Sequence, residues 1–369
     1  MARAGLGSAW RCLFANDFDL RKAETYRLNW GEGEMRSCDV RTIKSEDLAG
    51  EPDLVWASFP CQDLSLAGGG AGLKGERSGT FWPFWELIKQ LRSEGRHPKL
   101  LVLENVCGTL TSHGGKDFSA ICRALAKEDY KFGAVVVDAA LFLPQSRPRL
   151  FIIATRDGVE IPPHLVAQNP VEPFHTRALI SAFRSLPAKL QNGWIWWHIA
   201  DVPKRNFHLA NVIEENPVDV SWHSAQETSA LVDKMSPLHL EKVAAAKRLR
   251  RKMVGAAYRR TRYDANGEKV QRTEARFDDL AGCLRTPAGG SSRQFIFVVE
   301  NGRIRSRLIS ARETARLMGL PDDYKLPSNY NEAYHLTGDG VAVPVVRHLA
   351  GNILEPVLQG VRRAEEIAA

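Results

Sequence analysis

Apolar runs and amphipathic segments alternate along the first 155 residues of the chain. The apolar runs are typical of buried strands and cover residues 11–17, 53–59, 99–106, 132–142 and 149–155. Between them, the spacing of apolar residues predicts helices over 20–30, 81–95 and 117–130. This order predicts an α/β fold with a mostly parallel sheet covered by helices.

The alternation stops near residue 156, where prolines cluster and Trp, His and Arg become frequent. We therefore expect an α/β domain over 1–155, a smaller inserted domain over 156–285, and a return to the first domain over 286–369. Within the last part, Ser310 and Glu313 form a capping box that starts a helix.

The composition is ordinary for a folded soluble protein, with 44% hydrophobic and 25% charged residues. No apolar run approaches the roughly 18 residues of a membrane span. The start of the chain lacks the apolar core of a signal peptide. We expect a cytoplasmic monomer without a membrane partner.

The formal net charge of +7 is concentrated in one segment. Residues 247–276 contain 11 Lys or Arg against three acidic residues, so the rest of the chain is nearly neutral. A solvated helix face is one explanation of such a run. The nearby aromatic cluster at 193–198 favours a polyanion partner instead, although core packing is the expected role of Trp194, Trp196 and Trp197.

The six cysteines are scattered and form no CxxC pair, and no histidines have the spacing of metal ligands. Neither a disulfide framework nor a metal site is predicted. Cys61, in "SFPCQDLS", directly follows the predicted strand 53–59 and precedes the glycine-rich segment 65–81. A strand end is a suitable place for a reactive thiolate. The other five cysteines are expected to be small buried hydrophobic residues.

Glu104 ends the apolar run 99–106, where an unpaired carboxylate is rare. It either pairs with an arginine or caps a helix, or else its burial lets it carry a proton at neutral pH. Farther along, Gln145, Arg147 and Arg149 occupy every second position, which predicts that all three project from one face of a strand.

Taken in order, "FPCQDLS", "ENV", "QSRPR", a basic region, "RETARLMGLPDDY" and "GDGVAVP" resemble the cytosine-C5 DNA methyltransferases. The resemblance covers nearly the whole chain. It implies a class I S-adenosylmethionine-dependent fold, which is Rossmann-like, with a target-recognition domain inserted near 156–285. Double-stranded DNA is the implied partner.

The resemblance also implies the roles of the motif residues. Cys61 attacks C6 of a cytosine flipped out of the duplex, and Glu104 holds the N3 edge and supplies a proton. Arg149, with Arg147 beside it, steadies the base carbonyl and the active-site loop, while Gln145 holds local structure or the loop. The activated C5 then takes the methyl group and loses its proton. The segment 65–81 is the implied lid over the base.

By the same resemblance, S-adenosylmethionine is held by residues that precede the nucleophile. Asp17 binds the ribose hydroxyls, Phe18 stacks on the adenine and Asp39 meets the adenine amino group. Pro60 completes the implied cofactor site.

The amino terminus departs from the family pattern, because no F-x-G-x-G loop occurs. Gly5 lies only 12 residues before Asp17, whereas a glycine loop, helix and strand need roughly 20. The better match places Met1 after that loop, so either the true start lies upstream or the chain is a defective member. A smaller departure is Asp339, where the family usually has Asn.

Three other functions remain open. An RNA methyltransferase acting on transfer RNA has similar motifs, although the basic insert favours DNA. A non-catalytic DNA-binding remnant would explain the missing loop. A nucleotide-dependent oxidoreductase needs a glycine fingerprint that is absent here.

Bacterial members that resemble this chain usually serve restriction-modification systems. The bases that are read do not follow from the sequence, although Arg293, after the glycine-rich segment 286–292, is a candidate for entering a groove.

Overall fold

The computed structural model describes residues 1–60, 78–200, 202, 204–264, 266–285 and 293–368. Its strands are β1 (Ala15–Asn16), β2 (Met35–Arg36), β3 (Leu54–Ser58), β4 (Leu100–Asn105), β5 (Tyr130–Asp138), β6 (Pro148–Arg156), β7 (Val166–Ala167), β8 (Trp196–Trp197), β9 (Met253–Tyr263), β10 (Lys269–Arg276), β11 (Phe295–Glu300) and β12 (Arg303–Leu308). Its α-helices are α1 (Ala2–Leu6), α2 (Leu20–Trp30), α3 (Phe81–Ser93), α4 (Lys116–Lys127), α5 (Arg177–Arg184), α6 (Ala188–Gln191), α7 (Leu209–Val212), α8 (Ala225–Val232), α9 (Pro237–Arg248), α10 (Ala311–Leu317), α11 (Tyr330–Asp339), α12 (Val343–Leu349) and α13 (Glu355–Ala368).

The chain divides into two compact units. The mixed-sheet unit comprises Leu6–Asp138, Pro148–Asp201 and Val346–Ala369, and the antiparallel-sheet unit comprises Met1–Gly5, Ala139–Arg147 and Val202–Val345. This division differs from the expected inserted domain at 156–285. The segment after β6 stays with the mixed sheet, because fully buried Trp197 donates a hydrogen bond to the Ile153 carbonyl at 3.3 Å.

In the mixed-sheet unit, four strands lie in the order β3-β4-β6-β5, and β1 pairs with β2 in a separate parallel pair. β3 and β4 are parallel, but β6 runs antiparallel to both β4 and β5. The expected mostly parallel sheet is therefore mixed. The connection 139–147 is too short for the helical crossover that a parallel β5–β6 arrangement requires.

Two of the predicted helices, α3 and α4, cover this sheet, and the α/β fold is confirmed. Phe81, Trp85 and Ile88 of α3 pack in one buried cluster with Leu101 and Leu103 of β4. Burying such side chains stabilises the unit by roughly 1.5–3 kcal/mol each.

The start of the predicted helix 20–30 is decided locally. The Asp19 carboxylate accepts hydrogen bonds from the main-chain N–H groups of Arg21 and Lys22, which caps α2. Gly31 then ends the helix with a φ of 88°, a conformation that favours glycine.

The expected core packing of the tryptophans is confirmed. Trp197 is fully buried, and Trp194 lies edge-to-face against Phe132 of β5 at 5.9 Å between ring centroids. Trp196 contacts both Trp194 and Phe183. These rings belong to the core of the mixed-sheet unit.

The antiparallel-sheet unit contains a four-stranded sheet in the order β10-β9-β11-β12. Leu231 of α8 and Val243 of α9 form a buried cluster with Phe295 and Phe297 of β11. One face of this sheet is thus covered by two helices, which makes the unit a helix-on-sheet layer structure.

The predicted capping box at the start of α10 is confirmed and extended. Ser310 Oγ accepts from the Glu313 N–H at 3.1 Å, and Glu313 Oε2 accepts from the Ser310 N–H at 2.8 Å. The Glu313 carboxylate also pairs with Arg307, and both side chains are fully buried. Breaking such a buried pair typically costs about 3–5 kcal/mol.

One segment requires a correction to the expectation about membrane spans. Tyr330–Val361 is long and apolar enough for a membrane helix, with a mean hydropathy of 1.2 over an 18-residue stretch. Within that stretch, however, 56% is buried inside the protein. Gly340, within the segment, has extended backbone with ψ 171°, so the helix is interrupted there. Buried core helices satisfy the same criteria of length and hydropathy.

Candidate active site

The carboxyl ends of β3 and β4 lie side by side, because the two strands are parallel and Ser58 pairs with Glu104. Beyond β3, the chain continues through Phe59 and Pro60. The predicted nucleophile Cys61 and the segment 61–77, with most of the proposed lid, lie outside the described residues.

Asn105 fixes the path of the chain at this edge. Its Nδ2 donates a hydrogen bond to the Phe59 carbonyl at 3.1 Å, and its Oδ1 accepts from the Val106 N–H at 2.8 Å. The residue is 5% exposed. A buried amide with both ends engaged holds a rigid geometry, so Asn105 determines where the main chain lies two residues before Cys61.

Glu104 and Arg149 form an ion pair, with 3.3 Å between Oε1 and Nε. Glu104 is directly opposite Phe151 in the antiparallel β4–β6 pair, so Arg149, two residues earlier on β6, lies diagonally across on the same face. The two side chains are 9% and 16% exposed. The carboxyl group predicted to hold a base edge is thus nearly buried beside one guanidinium.

Arg147 does not share this arrangement. Its Nη1 donates to Cys283 Sγ and the Leu284 carbonyl, and its Nη2 donates to the carbonyls of Gly338 and Gly340, at 2.6 to 3.3 Å. These four contacts match the four Nη–H hydrogens. The prediction that Arg147 steadies a base carbonyl therefore requires correction: its guanidinium braces main-chain segments.

The predicted common strand face of the "QSRPR" motif is wrong, because the strand does not extend over the whole motif. β6 begins at Pro148, so of the three side chains only Arg149 lies on the strand. Gln145 is fully buried, donates to the Leu317 carbonyl at 2.6 Å and accepts from the Leu284 N–H at 3.2 Å. Gln145 was predicted to hold either local structure or the active-site loop, and these contacts correspond to holding local structure.

The predicted cofactor residues follow the ends of β1 and β2. Asp17 is half-buried and accepts from the Asp19 N–H at 2.9 Å, and Phe18 is 73% exposed. Asp39 follows β2, and both of its carboxylate oxygens accept from Arg41. The hydrogen bond from Arg41 is the main cause that lowers the pKa of Asp39. Because β1 and β2 are parallel, Asp17 and Asp39 lie at one edge.

The exposed ring at this edge fits an adenosine group, whereas the engaged Asp39 carboxylate limits how the adenine could bind. An exposed phenyl ring next to a carboxylate suits a nucleoside with a stacked base and ribose hydroxyls. The Asp39 carboxylate is already engaged, so an adenine amino group would have to share it with Arg41. The remaining predicted contact, Pro60, follows β3 in the same unit.

The other cysteines differ from expectation in burial. Cys122 is fully buried, but Cys12, Cys38, Cys107 and Cys283 are half-buried. Burial raises the pKa of the Cys107 thiol, which lies three residues after Glu104. A thiol held in its protonated form is a poor nucleophile.

Sequence reasoning about "ENV" singled out Glu104 and missed Asn105. The available signal was a second polar residue at the end of an otherwise apolar strand. Arg293, the candidate for a groove, has its guanidinium 5.6 Å from the centroid of the Tyr330 ring, while 286–292 lie outside the described residues.

Residues 1–355 match the family described as C-5 cytosine-specific DNA methylase. The chain belongs to this family. Its members are S-adenosylmethionine-dependent enzymes that methylate C5 of cytosine in DNA, and this methylase therefore has DNA as its substrate. The predicted family, activity and cofactor are confirmed.

Two curated relatives illustrate the similarity of this C-5 cytosine-specific DNA methylase. The Type II methyltransferase M.BsuFI of Bacillus subtilis is 26% identical over 94% of this chain and 68% of the relative. The Type II methyltransferase M.HhaI of Haemophilus parahaemolyticus is 24% identical over 93% of this chain and 87% of the relative.

Solved structures show the fold of the methylase. A DNMT2 variant from Spodoptera frugiperda has a TM-score of 0.58 at 16% identity, covering 97% of this chain and 95% of that one. The Dnmt2 methyltransferase of S. pombe has a TM-score of 0.52 at 16% identity, covering 94% and 91%.

Replacing Asn105 with aspartate is expected to lower kcat by about fivefold with little change in KM for DNA. The substitution keeps the shape but removes the N–H that holds the Phe59 carbonyl, a bond of about 1 kcal/mol. Steady-state methylation kinetics and thermal unfolding would be measured together.

Asn29→Asp provides the matched control, because Asn29 Nδ2 donates to the Thr25 carbonyl at 2.8 Å on helix α2. It removes the same kind of amide-to-carbonyl hydrogen bond at a half-buried position and should leave kcat unchanged. Equal kcat in the two variants would show that Asn105 has no positioning role.

Proposed function

We propose that this methylase modifies a cytosine flipped out of a specific duplex sequence, as the modification component of a restriction-modification system. Cys61 attacks C6, and Glu104 holds the N3 edge and supplies the proton that makes C6 electrophilic. Arg149 orients the Glu104 carboxyl and the base carbonyl. The protein acts as a cytoplasmic monomer, with no membrane partner.

The observation that supports this proposal best is the Glu104–Arg149 pair at the edge where β3 leads to Cys61. A carboxyl group this buried is costly unless it is paired, and the Arg149 guanidinium of β6, its ion-pair partner among the described residues, fixes its orientation. One carboxyl and one guanidinium offer a donor and an acceptor to the edge of a cytosine ring.

S-adenosylmethionine supplies the electrophilic methyl group. We propose that Asp17 accepts hydrogen bonds from the ribose hydroxyls, that the exposed ring of Phe18 stacks on the adenine, and that Asp39 and Pro60 complete the site. Stacking on an exposed phenyl ring removes apolar surface from water on both partners.

Transfer of a labelled methyl group tests the function directly. The protein would be incubated with labelled S-adenosylmethionine and either mixed-sequence duplex DNA or folded transfer RNA. Incorporation into duplex DNA is expected. Label in RNA alone would indicate an RNA methyltransferase, and DNA binding without label would indicate a non-catalytic remnant.

The basic run from Lys247 to Arg262 carries a second part of the proposal, contact with DNA phosphates. Lys247, Arg248, Arg250 and Arg251 are all exposed around the end of α9. Neutralising the three arginines should weaken duplex binding and reduce the slope of log affinity against log salt by about 0.9 per lost phosphate contact. An unchanged slope, measured by fluorescence anisotropy, would contradict this role.

A further inference from the structure

The Asp39 carboxylate, which is proposed to meet the adenine amino group, is occupied by Arg41. Arg41 Nε donates to Oδ1 at 3.0 Å and to Oδ2 at 3.1 Å, and Nη2 donates to Oδ2 at 2.6 Å. The Arg41 main-chain N–H also donates to Oδ1, at 2.9 Å. Both carboxylate oxygens therefore already accept hydrogen bonds.

The guanidinium group is not needed to hold Asp39 in place. Asp39 is the N-cap of a short 3-10 helix over Val40–Thr42, and the main-chain bond to Oδ1 orients its carboxylate. Thr42 Oγ1 donates to the Asp39 carbonyl at 2.8 Å, which closes the same turn. The contacts of Oδ2, the oxygen that the cap does not use, come from the Arg41 guanidinium.

The pair is also weak enough to be displaced. The side chains of Arg41 and Asp39 are 60% and 37% exposed, and ion pairs as exposed as this contribute little to stability. The hydrogen bond from Arg41 is the main cause that lowers the pKa of Asp39, so the carboxylate is ionised and can only accept hydrogen bonds. A new donor at Oδ2 has to replace the guanidinium, which water can then solvate.

We infer that Arg41 competes with the adenine amino group for the Asp39 carboxylate and thereby lowers the affinity for S-adenosylmethionine and for its product, S-adenosylhomocysteine. The inference rests on the proposed cofactor site of Asp17, Phe18 and Asp39. Each binding event exchanges the Arg41 pair for an adenine contact, and each release restores the pair. Because both molecules carry the same adenine, Arg41 weakens product binding as much as cofactor binding.

The test compares two arginine substitutions by titration calorimetry of the full chain with S-adenosylhomocysteine. Arg41→Met should tighten binding about threefold, since it removes the competing guanidinium. Arg36 of β2 is also exposed, and Arg36→Met removes the same charge three residues before Asp39 and should leave the affinity unchanged. Weaker or unchanged binding by Arg41→Met, or equal tightening by Arg36→Met, would overturn the inference.

An analogue of S-adenosylhomocysteine with hydrogen in place of the adenine amino group gives a second readout. It has no donor for the Asp39 carboxylate, so it should bind the wild-type and Arg41→Met proteins equally. For S-adenosylhomocysteine itself, the difference between the two proteins should narrow as salt is added, because salt screens the exposed pair. An equal gain for the analogue, or a difference independent of salt, would contradict competition at Asp39.

Asp39→Asn separates the inference from the cofactor site on which it rests. Its amide nitrogen would face the adenine amino group donor to donor, so binding of S-adenosylhomocysteine should weaken at least about threefold. If the wild-type protein does not bind S-adenosylhomocysteine, or if Asp39→Asn binds it equally well, the proposed cofactor site fails. If Asp39→Asn weakens binding but Arg41→Met changes nothing, the site stands and only the inferred competition fails.

Discussion

Replacing Cys61 with serine is expected to lower methyl transfer by at least about a thousandfold while leaving duplex binding nearly unchanged. A hydroxyl is far less ionised than a thiol at neutral pH and is the weaker nucleophile toward C6. The measurement is labelled methyl incorporation, combined with an electrophoretic binding assay on the same duplex.

Cys107→Ser provides the matched control for this substitution. Cys107 lies three residues after Glu104, and burial raises the pKa of its thiol, so it should contribute little as a nucleophile. We expect Cys107→Ser to keep at least about half of the activity. Comparable methyl transfer by the Cys61→Ser protein would refute the assignment of the nucleophile.

Replacing Glu104 with glutamine is expected to lower kcat by about 10²–10⁴-fold, the usual contribution of general acid–base catalysis. Glutamine can still accept a hydrogen bond from Arg149, so the buried guanidinium is not left without a partner. It carries no transferable proton, so C6 stays weakly electrophilic. Single-turnover methylation and thermal unfolding would separate lost chemistry from lost stability.

Glu51→Gln is the control for this second prediction. Glu51 pairs with Arg156, at the opposite end of β6, at the same distance of 3.3 Å. The exposed pair should contribute at most about 1 kcal/mol to stability and nothing to catalysis. Similar loss of kcat in Glu51→Gln and Glu104→Gln would point to a damaged sheet instead of a missing proton donor.

The sequence predicted the elements of the mixed-sheet unit closely, because their signals are local. Periodicity placed a helix at 20–30, and the structure has α2 at Leu20–Trp30, started by Asp19 and ended by Gly31. The direction of β6 was missed. It depends on the length of the connection from β5, and no apolar pattern along β6 carries that information.

The arginine motif shows the limit of the same reasoning. Arg147 and Arg149 look alike in sequence, two residues apart. Arg149 lies on β6 against Glu104, whereas the acceptors of Arg147 are 136 to 193 residues farther along the chain. Alternation predicts a common face only while the strand continues, and β6 starts between the two residues.

The sequence by itself determined the α/β class, the order of the motifs and the family. These follow from residue periodicity and short-range spacing, which are properties of neighbours along the chain. The tertiary structure alone decided the Glu104–Arg149 pair, the bracing by Asn105 and the contacts of Arg147 with distant main-chain segments. Each depends on which distant segments pack together. Burial of apolar surface is non-directional, so it favours a compact state without specifying which segments come into contact.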